Sequence, residues 1–376
     1  MIDRDVYLTI KDRLFRGKSI ILTGARQVGK STLLKKMATD YKEKNVLFLN
    51  CDEPDTRFLL ENATSTSLRN MIGNHKLLLI DEAQKIKNIG TTLKLITDNN
   101  SEVQLVATGF SAFDLRNQLN EPLTGRKFEF SLYPFSTHEL IQHSSALEEQ
   151  RLLNHRLIYG MYPEVVTFPS DAKILLSELA NSYLFKDIFS IKDIRNPDAL
   201  NKLLMSLALQ ISSEVSYYEL SRKLGIDKET VEGYIELLEK VFVIFRVSSF
   251  ARNLRTELKK SKKIYFYDNG VRNAMLNNFA PPELRNDMGA LWENFLMSER
   301  KKHLDNSGEH RNTYFWRTHS QQEIDLIEEK DGILHAYEFK WNEKKKTKLP
   351  KSFPSAYPQH TFHVISPPNY QDFVAK

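Results

Sequence analysis

Cysteine is almost missing from this 376-residue chain. The single one, Cys51, cannot form an intramolecular disulfide or a zinc cluster. It ends an apolar strand pattern, where a small buried thiol is expected, and no chemistry is assigned to it. No apolar run approaches the ~18 residues that a membrane span requires, so no membrane partner is expected. The first residues, Met1-Ile2-Asp3-Arg4-Asp5, have neither the basic start nor the apolar stretch of a secretion signal, and the expected address is cytoplasmic. Charge of one sign is also scarce: 53 basic against 48 acidic residues leave +5, which permits a nucleic-acid partner without demanding one. Apolar content of 41% and charged content of 27% are those of a soluble globular protein, and the length exceeds one ordinary core. Several domains are therefore expected.

What is present begins with Gly24-Ala25-Arg26-Gln27-Val28-Gly29-Lys30-Ser31, which fits G-x-x-x-x-G-K-[ST], the phosphate-binding loop of nucleoside-triphosphate hydrolases. The apolar run Ser19-Ile20-Ile21-Leu22 predicts a buried strand before it, and Thr32 to Ala38 predicts a helix after it. In that context Gly24 and Gly29 let successive backbone N–H groups and the positive helix end converge on a phosphate. Lys30 adds a full charge, the Ser31 hydroxyl is left to coordinate Mg2+, and Thr32 stabilises the first helical turn. The alternative is a plain glycine-bearing turn between strand and helix.

Lys76-Leu77-Leu78-Leu79-Ile80-Asp81-Glu82 is a continuous apolar strand ending in two carboxylates, the form of a Walker B segment. A buried parallel strand aims its C-terminal end at the ligand crevice, so Asp81 can hold the Mg2+ water shell while Glu82 polarises the attacking water. Val103 to Thr108 is a further strand, whose polar end, Thr108 or Ser111, stands where a residue sensing the γ-phosphate would be; a simple turn hydroxyl is the other reading. A helix-length stretch from Ala112 ends at Leu123-Thr124-Gly125-Arg126, before the strand Lys127 to Leu132. Arg126 is either a finger reaching a neighbouring protomer's γ-phosphate or a helix-end charge.

From His138 to Asn201 the periodicity is helical, which suits a lid, and Arg151, Arg156 and Arg195 are undistinguished candidates for a second sensor arginine. Tyr217 to Leu224, Gly225-Ile226-Asp227 and Lys228 to Lys240 have the proportions of a helix-turn-helix, with Val241 to Val247 as a first wing strand. With Val231, Ile235 and Leu238 facing the core, Glu229, Glu232, Glu236 and Glu239 fall on the exposed face, where they repel phosphates and point to packing or partner binding instead. Arg252, Arg255, Lys259, Lys260, Lys262 and Lys263 form a basic run that reads as a solvated loop or a nucleic-acid contact.

Strand-like segments then run over Thr313 to Arg317, Glu323 to Glu328 and Ile333 to Lys340, after a helix carrying Trp292-Glu293-Asn294. Glu338 and Lys340 share one strand face, and Asp325 can join them. An Asp and a Glu close together bind a divalent cation, and a lysine beside them can activate water against a phosphodiester. Lys344, Lys345, Lys346 and Lys348 are either a backbone contact or a solvated face.

Taken together, Gly24 to Thr32, Ile80-Asp81-Glu82-Ala83-Gln84, Leu123-Thr124-Gly125-Arg126, Leu132-Tyr133-Pro134-Phe135-Ser136 and the Asp325, Glu338, Lys340 set resemble the prokaryotic AAA+ type ATPases fused to a C-terminal PD-(D/E)XK nuclease-like domain. The resemblance implies an α/β fold: a P-loop NTPase core with a five-stranded parallel sheet, a helical lid and winged-helix middle, and a C-terminal α/β nuclease-like domain. It implies ATP over GTP, Arg126 as finger or γ-phosphate sensor, and Glu293 as the helical acid of the nuclease pattern. The expected organisation is a core over 1–137, a lid over 138–200, a winged-helix segment over 201–262 and the nuclease-like domain over 263–376. The expected function is a Mg2+-dependent ATPase coupled to that domain and acting on DNA. The alternative is a nucleotide-gated switch whose inactive nuclease-like domain recruits a protein partner, with homo-oligomers open to both. A second divalent-cation site at Asp325 and Glu338 is expected if the domain is active.

Overall fold

The computed structural model describes residues 1–109, 123–183, 194, 196–251, 262–318, 320–344 and 347–375. Phe110, Ser111, the helix expected from Ala112, Arg195, Arg252, Arg255, Lys259, Lys260, Lys345 and Lys346 lie outside them. The chain divides into two compact units, one of residues 3–133 with Met1 and 240–242, the other of residues 134–239 and 243–376 with Ile2.

In the first unit, β1 (Ser19–Gly24), β2 (Val46–Asn50), β3 (Leu77–Asp81), β4 (Gln104–Gly109) and β5 (Lys127–Leu132) form an all-parallel sheet in the order β2-β3-β4-β1-β5. The three central strands β3, β4 and β1 are buried along their whole length, as strands covered on both faces must be, whereas the edges β2 and β5 are half-exposed. Their continuous Ile, Leu and Val runs follow from that double burial, at about 1.5–3 kcal/mol for each large side chain removed from water. One core groups Ile21, Leu78, Ile80, Leu105 and Ala107 of the sheet with Leu93 and Ile96 of the helix Ile89–Asn99. The α/β parallel-sheet core is as expected. Because β4 is inserted between β1 and β3, the strand carrying the phosphate loop and the strand ending in Asp81 stand two positions apart.

The second unit holds a seven-stranded mixed sheet of β6 (Glu214–Val215), β7 (Ile244–Ser249), β8 (Lys262–Phe266), β9 (Asn312–Arg317), β10 (Glu323–Lys330), β11 (Ile333–Phe339) and β12 (His360–Ile365), ordered β12-β11-β10-β9-β7-β8-β6. The helix pair Tyr217–Leu224 and Lys228–Lys240 is present, with Val231, Ile235 and Leu238 buried. Glu229 and Glu236 are exposed; Glu232 and Glu239 are half-buried, and Glu239 is taken up by Arg246 at 2.5 Å. The strand expected as a wing is realised as β7, which pairs antiparallel with β8 and parallel with β9 inside this sheet. The expected border at 262/263 thus falls within β8, and the helices Thr137–His143 to Ala172–Glu178, expected as a lid, belong to the second unit.

The helix Met288–Ser307 runs as twenty residues in this unit, with Glu293 in its second turn and Arg300 two turns later. In β10 the pairing with β9 shifts register between Ile324 and Ile327. This bulge breaks the strict alternation read from the sequence: Leu326, Ile327 and Glu328 are all buried.

Candidate functional site

The loop between β1 and the helix Lys30–Asp40 owes its path to two glycines of different kinds. At Gly24 a Cβ would stand 2.2 Å from the Leu132 carbonyl oxygen, so this glycine is required by the close approach of β5. Gly29 caps the helix at φ +97°, a left-handed conformation that glycine alone adopts without strain. Ala25 and Val28 are buried anchors, while Arg26 and Gln27 are exposed. With glycine as cap, no capping side chain bonds the first turn of this helix, an arrangement in which first-turn N–H groups can take an anion. Lys30, only 4% exposed, donates from Nζ to the Gly24 and Ala25 carbonyls at 3.0 and 2.8 Å. These are weak partners that a phosphate oxygen can replace. Ser31 is half-buried and its hydroxyl makes no hydrogen bond among the described residues, whereas Thr32 is exposed.

At the end of β3, Asp81 is 5% exposed. Thr108 of β4, fully buried, donates from Oγ1 to Asp81 Oδ1 at 2.5 Å and accepts from the Glu82 N–H at 3.2 Å. Asp81 Oδ1 also accepts from that N–H at 3.2 Å. Thr108 therefore sets the acidic pair, and its hydroxyl is already engaged. Glu82 adopts φ +54° and ψ +40°, a conformation uncommon for a side chain of its size and characteristic of functional positions; its carboxylate accepts from Gln84 Nε2. Asp81 Oδ2 makes no hydrogen bond among the described residues. With the Ser31 hydroxyl, it is the donor chemistry a hydrated Mg2+ requires, across two strand spacings of roughly 10 Å in total. Cys51 is buried nearby, its thiol pushed up to about 12 by burial and by the charges of Asp81, Asp52 and Glu82.

Arg126 is not brought to this loop. Its carbonyl accepts from the Ser19 N–H at 3.0 Å, at the start of β1, and its guanidinium pairs with Asp98 at 2.7 Å. The length of β1, roughly 16–20 Å, separates it from the phosphate loop. That position does not suit Arg126 to the role of γ-phosphate sensor on its own nucleotide, one of the two roles expected of it. Arg4, which sequence reasoning missed, is at the loop instead. Its Nη1 donates to the Val28 carbonyl at 2.7 Å and its Nη2 to that of Tyr133 at 2.5 Å. No local pattern marks it, because its partners lie far along the chain. Of the candidate second sensors, Arg156 is buried against Glu149 at 2.8 Å and Arg151 is exposed beside Glu148.

In the second unit, Glu293, Asp325, Glu338 and Lys340 do come together. Asp325, at the bulge, accepts from the Phe339 N–H at 2.7 Å, and Lys340 holds Glu338 at 2.5 Å. Glu293 Oε1 accepts from Tyr265 at 2.7 Å and from Lys263 at 2.8 Å; Lys263 also reaches Glu323 at 2.5 Å. Lys263, in the basic run expected to be a solvated loop or a nucleic-acid contact, is 2% exposed. Burial pushes the Glu293 and Glu338 carboxyls up to about 7, assisted by the charge of Asp325, and also raises that of Asp325. Among the described residues no group of three or more His, Cys, Asp and Glu is arranged to hold a metal ion. Glu293, Asp325 and Glu338, the carboxylates expected there, are engaged by lysines, a tyrosine and a backbone N–H.

Residues 16–141 match an AAA domain; residues 150–281 and 288–371 match two domains of unknown function (DUF8612 and DUF4143). The chain is 24% identical over 347 residues to an uncharacterized protein of Mycobacterium tuberculosis, covering 90% of this chain and 73% of that one. It is 26% identical over 302 residues to one of Haemophilus influenzae, covering 72% and 73%. Among solved structures, the Pif1 helicase of Candida albicans is 17% identical with a TM-score of 0.27, covering 48% of each chain. Drosophila ORC bound to AT-rich DNA and Cdc6 is 14% identical with a TM-score of 0.27, covering 73% of this chain and 90% of that one. Likenesses so distant say nothing of what this chain binds. The AAA match and the strand order agree on an AAA-type P-loop ATPase domain in the first unit.

Proposed function

We propose that the first unit binds MgATP and hydrolyses it, and that its nucleotide state governs the activity of the second unit. The observation that carries this reading is the hydrogen-bonded set of Asp81, Glu82 and Thr108 at the strand ends beside a folded phosphate loop. Mg2+, held through Ser31 and Asp81, would neutralise phosphate charge. Lys30 and the N–H groups of residues 29–32 bind the phosphates, with Arg4 bracing the loop from behind. Glu82, held out of the strand by its left-handed backbone, orients the attacking water and takes its proton. Lys30→Ala is expected to weaken MgATP binding at least tenfold in a calorimetric titration; unchanged affinity would remove the assignment. Glu82→Gln is expected to bind MgATP and lose turnover by roughly 10²–10⁴-fold.

A second reading, a nucleotide-gated switch in which the second unit recruits a protein partner, is favoured by the engagement of Glu293, Asp325 and Glu338 within the protein. Assays of single- and double-stranded DNA with Mg2+ or Mn2+, with and without ATP, separate the two. Cleavage lost in both Lys340→Ala and Asp325→Ala would establish an ATPase-coupled nuclease acting on DNA. No cleavage by protein that turns over ATP supports the switch.

A further inference from the structure

We infer that Lys263 is a built-in counter-cation: its ammonium stands among the carboxylates of Glu293, Glu323 and Asp325 in the role a divalent metal ion would fill, and it closes the nuclease-like cluster to metal. The inference stands apart from ATP turnover in the first unit.

Lys263 reaches the cluster from β8 and bonds two acids of separate elements, Glu293 on the helix Met288–Ser307 at 2.8 Å and Glu323 on β10 at 2.5 Å. Its ammonium also stands 5.5 Å from the centre of the Phe315 ring. With a side chain only 3% exposed, it has no solvated position to withdraw to without opening the sheet. Burial alone would lower its pKa, yet the fields of Glu293, Asp325 and Glu323 outweigh burial and hold it above the usual lysine value. Lys340 acts likewise on Glu338 at 2.5 Å. The acids that would form a metal shell are thus spread over two ammonium groups, a phenol and the Phe339 N–H. A divalent cation prefers several oxygens at about 2.0–2.6 Å and has to approach against the fixed charge of Lys263.

The test is Mn2+ binding to the nucleotide-free full-length protein, followed by electron paramagnetic resonance. Wild type and Asp325→Asn are expected to give the same titration. Lys263→Met is expected to gain one Mn2+ site, to show a melting temperature that rises with added Mn2+, and to lose both on further substitution Asp325→Asn. A wild-type Mn2+ site abolished by Asp325→Asn would overturn the inference, as would a folded Lys263→Met that gains no site. The first comparison decides the matter even if Lys263→Met does not fold. Neither readout involves ATP, so a failure here is distinct from a failure of the phosphate-loop assignment.

Discussion

Thr108 shows how much a single hydroxyl can organise. It donates to Asp81 and accepts from the Glu82 N–H, so both acids inherit their positions from it. Thr108→Val keeps the shape and leaves Asp81 Oδ1 and the Glu82 N–H with only their mutual bond at 3.2 Å. We expect a loss of about 1–2 kcal/mol in urea unfolding, with kcat for ATP falling more than KM rises. Gly24 is the complementary case. Its substitution by Ala places a methyl 2.2 Å from the Leu132 carbonyl, and the strand pair has to separate to admit it. About 2 kcal/mol or more of stability should be lost, measured by the same unfolding experiment. The phosphate-binding pattern was legible because loop chemistry is local. The steric reason for its first glycine was not, since Leu132 lies far along the chain.

Among the elements, the helix Met288–Ser307 and β10 share the buried charges of the second unit. Glu328, fully buried, is bonded by Arg300 at 2.6 and 2.9 Å and by Arg311 at 2.7 Å. Arg300→Ala is expected to destabilise the unit by about 3–5 kcal/mol, through the carboxylate it leaves underpaired. Burial alone would raise the Glu328 pKa, but the two arginines hold it below the usual glutamate value. Its stabilisation is therefore present above the unfolded value and lost as pH falls through the lowered one. Glu293 and Glu338 have the opposite sign: raised from 4.5 to about 7, they favour the folded state fully below 4.5 and lose that contribution as pH rises through about 7. The melting temperature of the second unit should rise as pH is lowered from about 8 toward 5 and fall again in stronger acid. Glu338→Gln should flatten the upper limb of that profile.

For the whole molecule, the proposed finger role of Arg126 is the one that would require a second copy. Paired with Asp98 and half-exposed at the strand starts, this arginine is expected to leave MgATP affinity unchanged when replaced by Ala. If copies assemble around the nucleotide, turnover per molecule rises with protein concentration in wild type and not in Arg126→Ala. A rate independent of concentration in both leaves Arg126 as an ion-pair partner only. The periodicity reads as a parallel-sheet core followed by helices and further strands in four segments, whereas the chain divides into two compact units. That β7 and β8 join the C-terminal strands in one sheet was not legible, because pairing between distant strands leaves no mark in local alternation.

The sequence by itself determined the phosphate loop, the Asp81-Glu82 strand end and the buried faces of the helix pair, because each rests on contacts within a few residues or on a repeat of fixed period. Only the tertiary structure decided that β4 stands between β1 and β3, that Arg126 lies at the far end of its strand from the loop and that Arg4 lies beside it. It alone decided that a lysine from an apparently solvated run is buried among the acids. A charge in sequence carries no information about what lies opposite it; burial and pairing arise when distant segments meet, and at Lys263 that meeting turns a surface pattern into the counter-charge of a core.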